Sequence, residues 1–499
     1  MKFTLLSRRA LAPVGRHRLL LRTGANALRL LVLGLLSCSL AHGFEAPHFA
    51  SGIKVGEVTQ DSAIVWVRLT KNAEADFGRL KIFTEGLPTN ERIKLDMPLD
   101  VVPGVKGKVR VRYATYDQWR DGTLVGKAKT EITDWQLVAA STDFTSQIRL
   151  TGLKPNTGYV FRVAAKNAAG EERGIAGTFL TAPAKDQSVP IRFIVSTCQA
   201  VRSIDSGAEG HKAYSQMIKF RPHFFVHTGD ILYYDKVPLC KNKAQARAKW
   251  NLMFAYGHNR NFHQRVGSYF MKDDHDTLKN DCWPGQKYGD LTFDEGLDIF
   301  REQVCMGDKT YRTVRWGKDL QVWMTENRDY RSSNRDPDGP EKTILGKEQK
   351  AWLKKTMTES DATFKFLISP GPLVGPDKRG KKDNHANAVF AHEGQELRDF
   401  LAKMQNTYVI CGDRHWQYCS VDPKTKVLEM GCGPINDEHS FGGDPGKKPK
   451  FHRYFGSRGG FLGITVDGDK AKAEWFSSNE PVTESGLPKV LHTENFPLK

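Results

Sequence analysis

From residue 186 onward one pattern recurs: a short apolar run of β type ends on residues that can do chemistry. Ile191–Ser196 leads into Thr197-Cys198-Gln199, and His223–Thr228 into Gly229-Asp230-Ile231-Leu232-Tyr233. Gly267–Lys272 leads into Asp273-Asp274-His275-Asp276, with Asn280-Asp281 close behind. Leu320–Thr325 leads to Asn327-Arg328-Asp329, and Thr407–Cys411 to Gly412-Asp413-Arg414-His415. Further strands are predicted at Phe364–Ser369, Val427–Gly431 and Phe461–Val466. Between them lie helical patterns at His211–Phe220, Phe293–Met306, Lys347–Met357 and Glu393–Met404; in the last, Leu397, Phe400, Leu401 and Met404 share one face. This alternation predicts an α/β domain. In such sheets ligands bind outside the carboxyl ends of the strands.

The pattern before residue 185 is different. Pro47 to Ala182 reads as β, with Ser62–Leu69 as a strand carrying Trp66 for a sandwich core. Turn residues at Pro155-Asn156-Thr157-Gly158 separate two alternating runs. Val109–Tyr113 reads as a strand added on an edge, and Thr181–Asp186 is a Pro-containing linker. Taken alone, the sandwich reads as a spacer, with a binding module as the alternative.

Hydrophobic residues at 39% and charged residues at 26% exclude a multispanning membrane protein and a wholly disordered chain. The net charge of +17 is uneven: the first 44 residues carry seven Lys or Arg and no Asp or Glu. Without them about +10 remains, which suits anionic ligands; no dense basic stripe with interleaved aromatics points to specific nucleic-acid recognition. The arginines precede an apolar run, Leu30–Leu40, and then Ala41-His42-Gly43, the layout of a signal peptide over residues 1–44. The expected location is therefore exported: periplasmic, cell-surface or extracellular. The alternative is an N-terminal anchor holding the chain at a membrane or cell surface. Ser7-Arg8-Arg9 resembles a twin-arginine signal and Leu35-Leu36-Ser37-Cys38 a lipoprotein box, so the route stays open.

Export bears on the eight cysteines. Without Cys38, seven remain, so at least one is free, bound or paired between chains. Cys411 and Cys419 flank the Asp413 segment and are candidates to brace it by a disulfide. No CxxC pair is present, which argues against a zinc ribbon.

Asp273, Asp274 and Asp276 surround one imidazole, and like charges at that density need a compensating cation. Gly412-Asp413-Arg414-His415 repeats the arrangement at another strand end. His211, His223 and His227 lie within helix or strand patterns and are not expected to be ligands. Asp383-Asn384-His385 follows the basic run Lys378–Lys382 and reads as a surface loop, with contact to an anionic substrate as the alternative.

The ordered set Gly229-Asp230, Asp274-His275 and Gly412-Asp413-Arg414-His415 resembles the calcineurin-like metallophosphoesterase superfamily. Within it the chain resembles the alkaline phosphatase D (PhoD-like) family: Cys198 stands where an Asp-x-His opens the usual set, and Tyr233 follows Asp230 by three residues. Ala50-Ser51-Gly52 and Val65-Trp66-Val67-Arg68 match that family's N-terminal entry, and Leu153-Lys154-Pro155-Asn156-Thr157-Gly158-Tyr159 resembles fibronectin type III domains. The resemblance implies a fibronectin type III-like β-sandwich over 45–185 and a four-layer α/β/β/α metallophosphoesterase domain over 186–499. It implies metal ligation by Cys198, Asp230, Tyr233, Asp274, Asn280 and Asp413, with Fe3+ and Ca2+ as the metals. Thiolate and phenolate suit ferric iron, and carboxylates with an amide oxygen suit calcium.

In this reading Asp230 bridges two cations, His275 is the general acid or a transition-state donor, and His415 is a ligand or second donor. Arg328 is a phosphate fork or, equally, a structural ion pair with Asp329 or another carboxylate. The expected activity is hydrolysis of phosphate mono- or diesters. Two rivals stand beside it: a phospholipase D-like phosphodiesterase, and a non-enzymatic cell-surface protein with a degenerate hydrolase domain.

Overall fold

The computed structural model describes residues 45–83, 95–120, 123–124, 130–378, 380–440 and 452–498. The signal-peptide reading of 1–44 lies outside them. Among the described residues no helix is long and apolar enough to cross a membrane.

The N-terminal region is sandwich-like. Strands β1 (Ile53–Gly56), β2 (Ser62–Arg68), β3 (Gly107–Thr115), β4 (Glu131–Ile132), β5 (Gln136–Val138), β6 (Thr145–Thr151), β7 (Gly158–Lys166) and β8 (Glu172–Leu180) form two layers. One runs β1-β2-β6; the other runs β8-β7-β3-β4, with β5 also paired to β3, so the strand read at Val109–Tyr113 lies inside its layer and not on an edge. Alternate residues of both layers, including Val65, Val67, Val109, Val111, Ile148, Phe161 and Val163, make the core between them.

The first layer does not stop at the sandwich. It continues into the strands that follow: β9 (Ile191–Ser196), β10 (Phe224–His227) and β11 (Gly267–Phe270). β1 pairs with β11 in parallel, Gly56 opposite Ser268. With the C-terminal strands β19–β21 this makes nine strands, in the order β21-β20-β19-β9-β10-β11-β1-β2-β6. A second, seven-stranded sheet runs β12-β13-β14-β15-β17-β16-β18. Its strands are β12 (Arg312–Trp316), β13 (Leu320–Met324), β14 (Phe364–Ser369), β15 (Thr407–Cys411), β16 (Gln417–Val421), β17 (Leu428–Cys432) and β18 (His452–Gly456). The last three strands of the chain are β19 (Gly460–Asp467), β20 (Lys470–Ser477) and β21 (Val490–Pro497).

The two sheets stack face to face. Phe193, Val195 and Val226 of one meet Val322, Phe366, Ile368 and Met430 of the other. Helices Ala213–Lys219, Lys243–Met253 and Phe293–Gln303 cover the outer face of the first sheet, and Gly346–Thr358 and Ala391–Leu401 that of the second. The order of layers is α/β/β/α. The helix read as Glu393–Met404 begins earlier and ends at Leu401, with Phe400 and Met404 still packed on its core.

The seven described cysteines are buried free thiols, which corrects the proposed disulfide brace. Cys411 lies on β15 and Cys419 on β16, and β17 runs between those strands. Cys411 instead pairs its Sγ with the Tyr418 hydroxyl at 2.9 Å.

A buried ion pair ties the two sheets together below the strand ends. Lys272 Nζ, fully buried just after β11, meets Glu326 at 2.8 Å and Asp329 at 2.5 Å after β13. Burial opposes its charge, but the two carboxylates outweigh that and hold it protonated. Lys272→Met is expected to cost about 3–5 kcal/mol, because it leaves buried carboxylates without their cation. Denaturant midpoints check this; a loss below about 1 kcal/mol, the scale of a surface pair, would show the strut to be dispensable.

Candidate metal centre

Five strand ends converge where the two sheets meet. Cys198 follows β9, Asp230 follows β10, Asp274 follows β11, Arg328 follows β13 and Asp413 follows β15. Two glycines permit the crowding. A Cβ on Gly229 (φ +113°) would stand 2.7 Å from the backbone nitrogen of Asp273, and one on Gly412 would stand 2.3 Å from Thr228 Oγ1. Cys198, Asp230 and Asp413 themselves adopt left-handed backbone, with φ of 48°, 54° and 61°. Such conformations cost free energy in non-glycine residues and persist where surrounding contacts enforce them. Here Cys198 N–H donates to Gly229 O (3.2 Å), Gln199 N–H to Asp230 O (2.8 Å) and Asp413 N–H to Thr197 Oγ1 (3.3 Å).

Asp230 is at the middle. Cys198 Sγ lies 3.5 Å from its Oδ2, the Tyr233 hydroxyl donates to the same oxygen at 3.1 Å, and His275 N–H reaches Oδ1 at 3.4 Å. Three sets of potential ligand atoms, each mutually within 4.8 Å, include Asp230: with Cys198 and His415, with Asp274 and His275, and with Asp273 and Asp413. A fourth comprises Asp274, Asp281 and Asp383. The sequence-derived residues Cys198, Asp230, Tyr233, Asp274, His275, Asp413 and His415 thus come together. Asn280 is exposed, and its contact with the site is its backbone N–H, which donates to Asp235 Oδ2 at 3.0 Å.

The electrostatics are those of a cation site. Burial, then the charges of Asp274, Asp273 and Asp276, push the Asp230 carboxyl well above its ordinary range. Burial and Asp230 likewise push the Cys198 thiol and the Tyr233 phenol up. Three acidic groups that oppose one another's ionisation are brought into their anionic forms together by a multivalent cation. Asp274 Oδ1 is buried without a hydrogen-bond partner. Thiol, phenol, imidazole and carboxylates around one oxygen-rich point therefore fit metal binding.

Several residues of this site escape a reading of local sequence. His439 Nε2 lies 2.8 Å from the Tyr233 hydroxyl, and His415 Nε2 lies 3.4 Å from it. Asp235 Oδ1 holds His275 Nδ1 at 2.6 Å. Asp383, read as part of a surface loop, is buried and meets Arg328 at 3.3 Å. Arg328 also meets Asp273 at 2.5 Å and Asp274 at 3.9 Å, while Asp329 goes to Lys272. Of the two roles considered for Arg328, the structure places its guanidinium in ion pairs, with partners other than Asp329. Asp276 is a brace, accepting N–H bonds from Asp273 (2.7 Å) and Ile231 (3.0 Å). Asp235, which closes the run after β10, and Asp383, an acid beside Asn384-His385 directly after a basic run, carried sequence hints; His439 carried none.

Residues 193–455 match the family model described as PhoD-like phosphatase, and residues 37–183 match the PhoD-like phosphatase N-terminal domain. No curated protein matches the chain at a significant level. Among solved structures, one described as the structure of PhoD is similar at 18% identity, covering 91% of each chain with a TM-score of 0.69. The purple acid phosphatase PPD1 from yellow lupin (Lupinus luteus) is similar at 11% identity, covering 91% of this chain and 74% of its own, with a TM-score of 0.61. These likenesses support the layered fold; the family models span both halves of the chain and take in Cys198, Asp230, Asp274 and Asp413. On that match the chain belongs to the PhoD-like phosphatase family and is a hydrolase of phosphate esters.

Proposed function

We propose that the chain is an exported phosphoesterase that cleaves phosphate mono- or diesters with the help of an iron ion and calcium. In this reading residues 1–44 are an export signal, 45–185 form the sandwich domain and 186–499 carry the chemistry. The observation that carries it is the place of Asp230 in three overlapping ligand sets. A carboxylate so shared can bridge two cations. Cys198 and Tyr233 on one side suit ferric iron, and the carboxylates Asp274 and Asp413 suit calcium. When bound, such cations neutralise a phosphate and lower the pKa of a water.

The protein's own residues do the rest. Asp235 orients His275 through Nδ1, so that Nε2 is the ring nitrogen that would serve a leaving oxygen. Burial disfavours a charged His275, but Asp274 and Asp235 outweigh it and raise its pKa, so the ring carries the proton a leaving alkoxide needs. Arg328 fixes Asp273, Asp274 and Asp383 relative to one another. His415 and His439 flank the Tyr233 hydroxyl and hold its ring in place.

Metal analysis of protein purified without chelators, together with hydrolysis of matched mono- and diester chromogenic phosphates with and without calcium, tests this reading. Stoichiometric iron with calcium-dependent turnover is the expected result. Folded protein with neither metal nor turnover would overturn it. Cys198→Ser is expected to bleach any thiolate-to-iron absorption and lower iron content severalfold; unchanged iron would remove Cys198 from the ligand set.

A further inference from the structure

The outward face of the sandwich's second layer has a composition that a spacer does not need. In β3 the odd-numbered Val109 and Val111 face the core, so Lys108, Arg110 and Arg112 face outward. Lys108 stands opposite Lys166 of β7, and Arg112 opposite Arg162. Like charges directly opposite on one face destabilise a sheet. Among the described residues none of these five cations has a carboxylate within ion-pair distance. Among the described residues, Glu172, opposite Lys166 on β8, is the one acid in register with them.

The other neighbours of β3 are apolar on the same face. Lys108 stands opposite Leu137 of β5, and Arg112 opposite Ile132 of β4. Leu137 is 72% exposed and Ile132 48%. Between those rows Trp135 lies under two cations, with Arg110 at 4.3 Å and Lys166 at 4.2 Å from the ring. Rows of cations alternating with exposed aliphatic side chains and an indole fit a surface that is anionic at its polar level and apolar just beneath.

We propose that this face, built on β3, β4, β5 and β7, docks the protein on an anionic phospholipid bilayer. The cations meet headgroup phosphates, and Leu137 and Ile132 enter the acyl boundary. The cost of facing like charges is relieved when lipid phosphates lie over them.

The test uses the full chain and sedimentation with vesicles of phosphatidylcholine alone or mixed with phosphatidylglycerol. Binding is expected for the mixed vesicles and not for the neutral ones. Lys108→Gln with Arg112→Gln removes one member of each like-charge pair and is expected to weaken that binding about 25-fold, at about fivefold per cation. Hydrolysis of a soluble chromogenic ester and the melting temperature serve as folding controls, and neither is expected to fall. Because the seven described cysteines are buried, an environment-sensitive dye on Leu137→Cys, made in a Cys38→Ser background, reports this face. Its emission is expected to shift to the blue with the anionic vesicles only.

Equal binding by the double variant would overturn the proposal, as would equal binding to neutral vesicles. A double variant that loses binding to soluble polyphosphate, with no dye shift on vesicles, would assign the face to a soluble polyanion instead.

Discussion

Asp230→Asn is expected to empty the centre of its cations and to lower kcat/KM on the order of 10³-fold or more, since the loss of even one preorganised charge-stabilising group costs ~10²–10³. The side chain keeps its size, so the fold persists, while the charge shared by three ligand sets is lost together with one of the two accepting oxygens. The sign of the stability change separates a metal role from a structural one. Burial and the charges of Asp274, Asp273 and Asp276 all work against an ionised Asp230. In chelator-treated protein the amide therefore relieves repulsion, and the variant melts at or above the parent. With metals restored the order reverses, because only the parent gains binding free energy. Melting curves and metal content per chain, each with and without chelator, read this directly. A variant that retains its metals and its turnover would sink the bridging role, as would one that melts well below the parent in chelator.

Loss of the His275 imidazole is expected to cost ~10²–10⁴ in kcat, the range of a general acid, with metal content unchanged. His275→Gln tests it with esters whose leaving groups differ in acidity. A departing phenoxide that needs no proton should lose little, and an alkoxide should lose most. Loss that is uniform across leaving groups would make His275 a packing residue. Its partner gives a second, graded reading. Burial favours neutral His275, and the Asp235 hydrogen bond helps to reverse that. Asp235→Asn therefore lowers the pKa of His275, and the ring loses its proton at a lower pH. The alkaline limb of the kcat profile should move toward acid while the acid limb stays in place. An unmoved profile would separate Asp235 from the acid role.

Inner strands of the two sheets were legible for a simple reason: Ile191–Ser196 and Phe364–Ser369 match the structure residue for residue, because strands buried on both faces read as near-continuous apolar runs, broken here only by Arg192 and Lys365 in second place. Polar residues directly after such runs mark the sheet's carboxyl edge, which is how Cys198, Asp230, Asp274 and Asp413 were found. Asp235, Asp383 and His439 sit on irregular segments, where no period fixes the direction of a side chain. Asp383 enters only because Arg328, buried from another strand end, draws it in. The left-handed backbone at Cys198, Asp230 and Asp413 is likewise invisible locally, since it is imposed by neighbouring loops. Nor does any short-range signal announce that β1 joins β11. A single registered pair between residues 56 and 268 makes that junction, far apart in the chain.

That junction has a consequence for how such a protein can be inherited and engineered. Cut away the first half, and β11 becomes a bare border with its peptide groups open to any passing strand, directly beneath Asp273 and Asp274. Trp66 and Lys54, which bond to the carbonyls of Glu302 and Gln303, would leave the helix Phe293–Gln303 uncovered as well. The two halves are therefore not beads on a string. Selection can trade loops and surface charges freely between relatives, but it must pass the sandwich and the hydrolytic half on as one heritable piece, and a truncated gene product would be expected to precipitate rather than to work slowly.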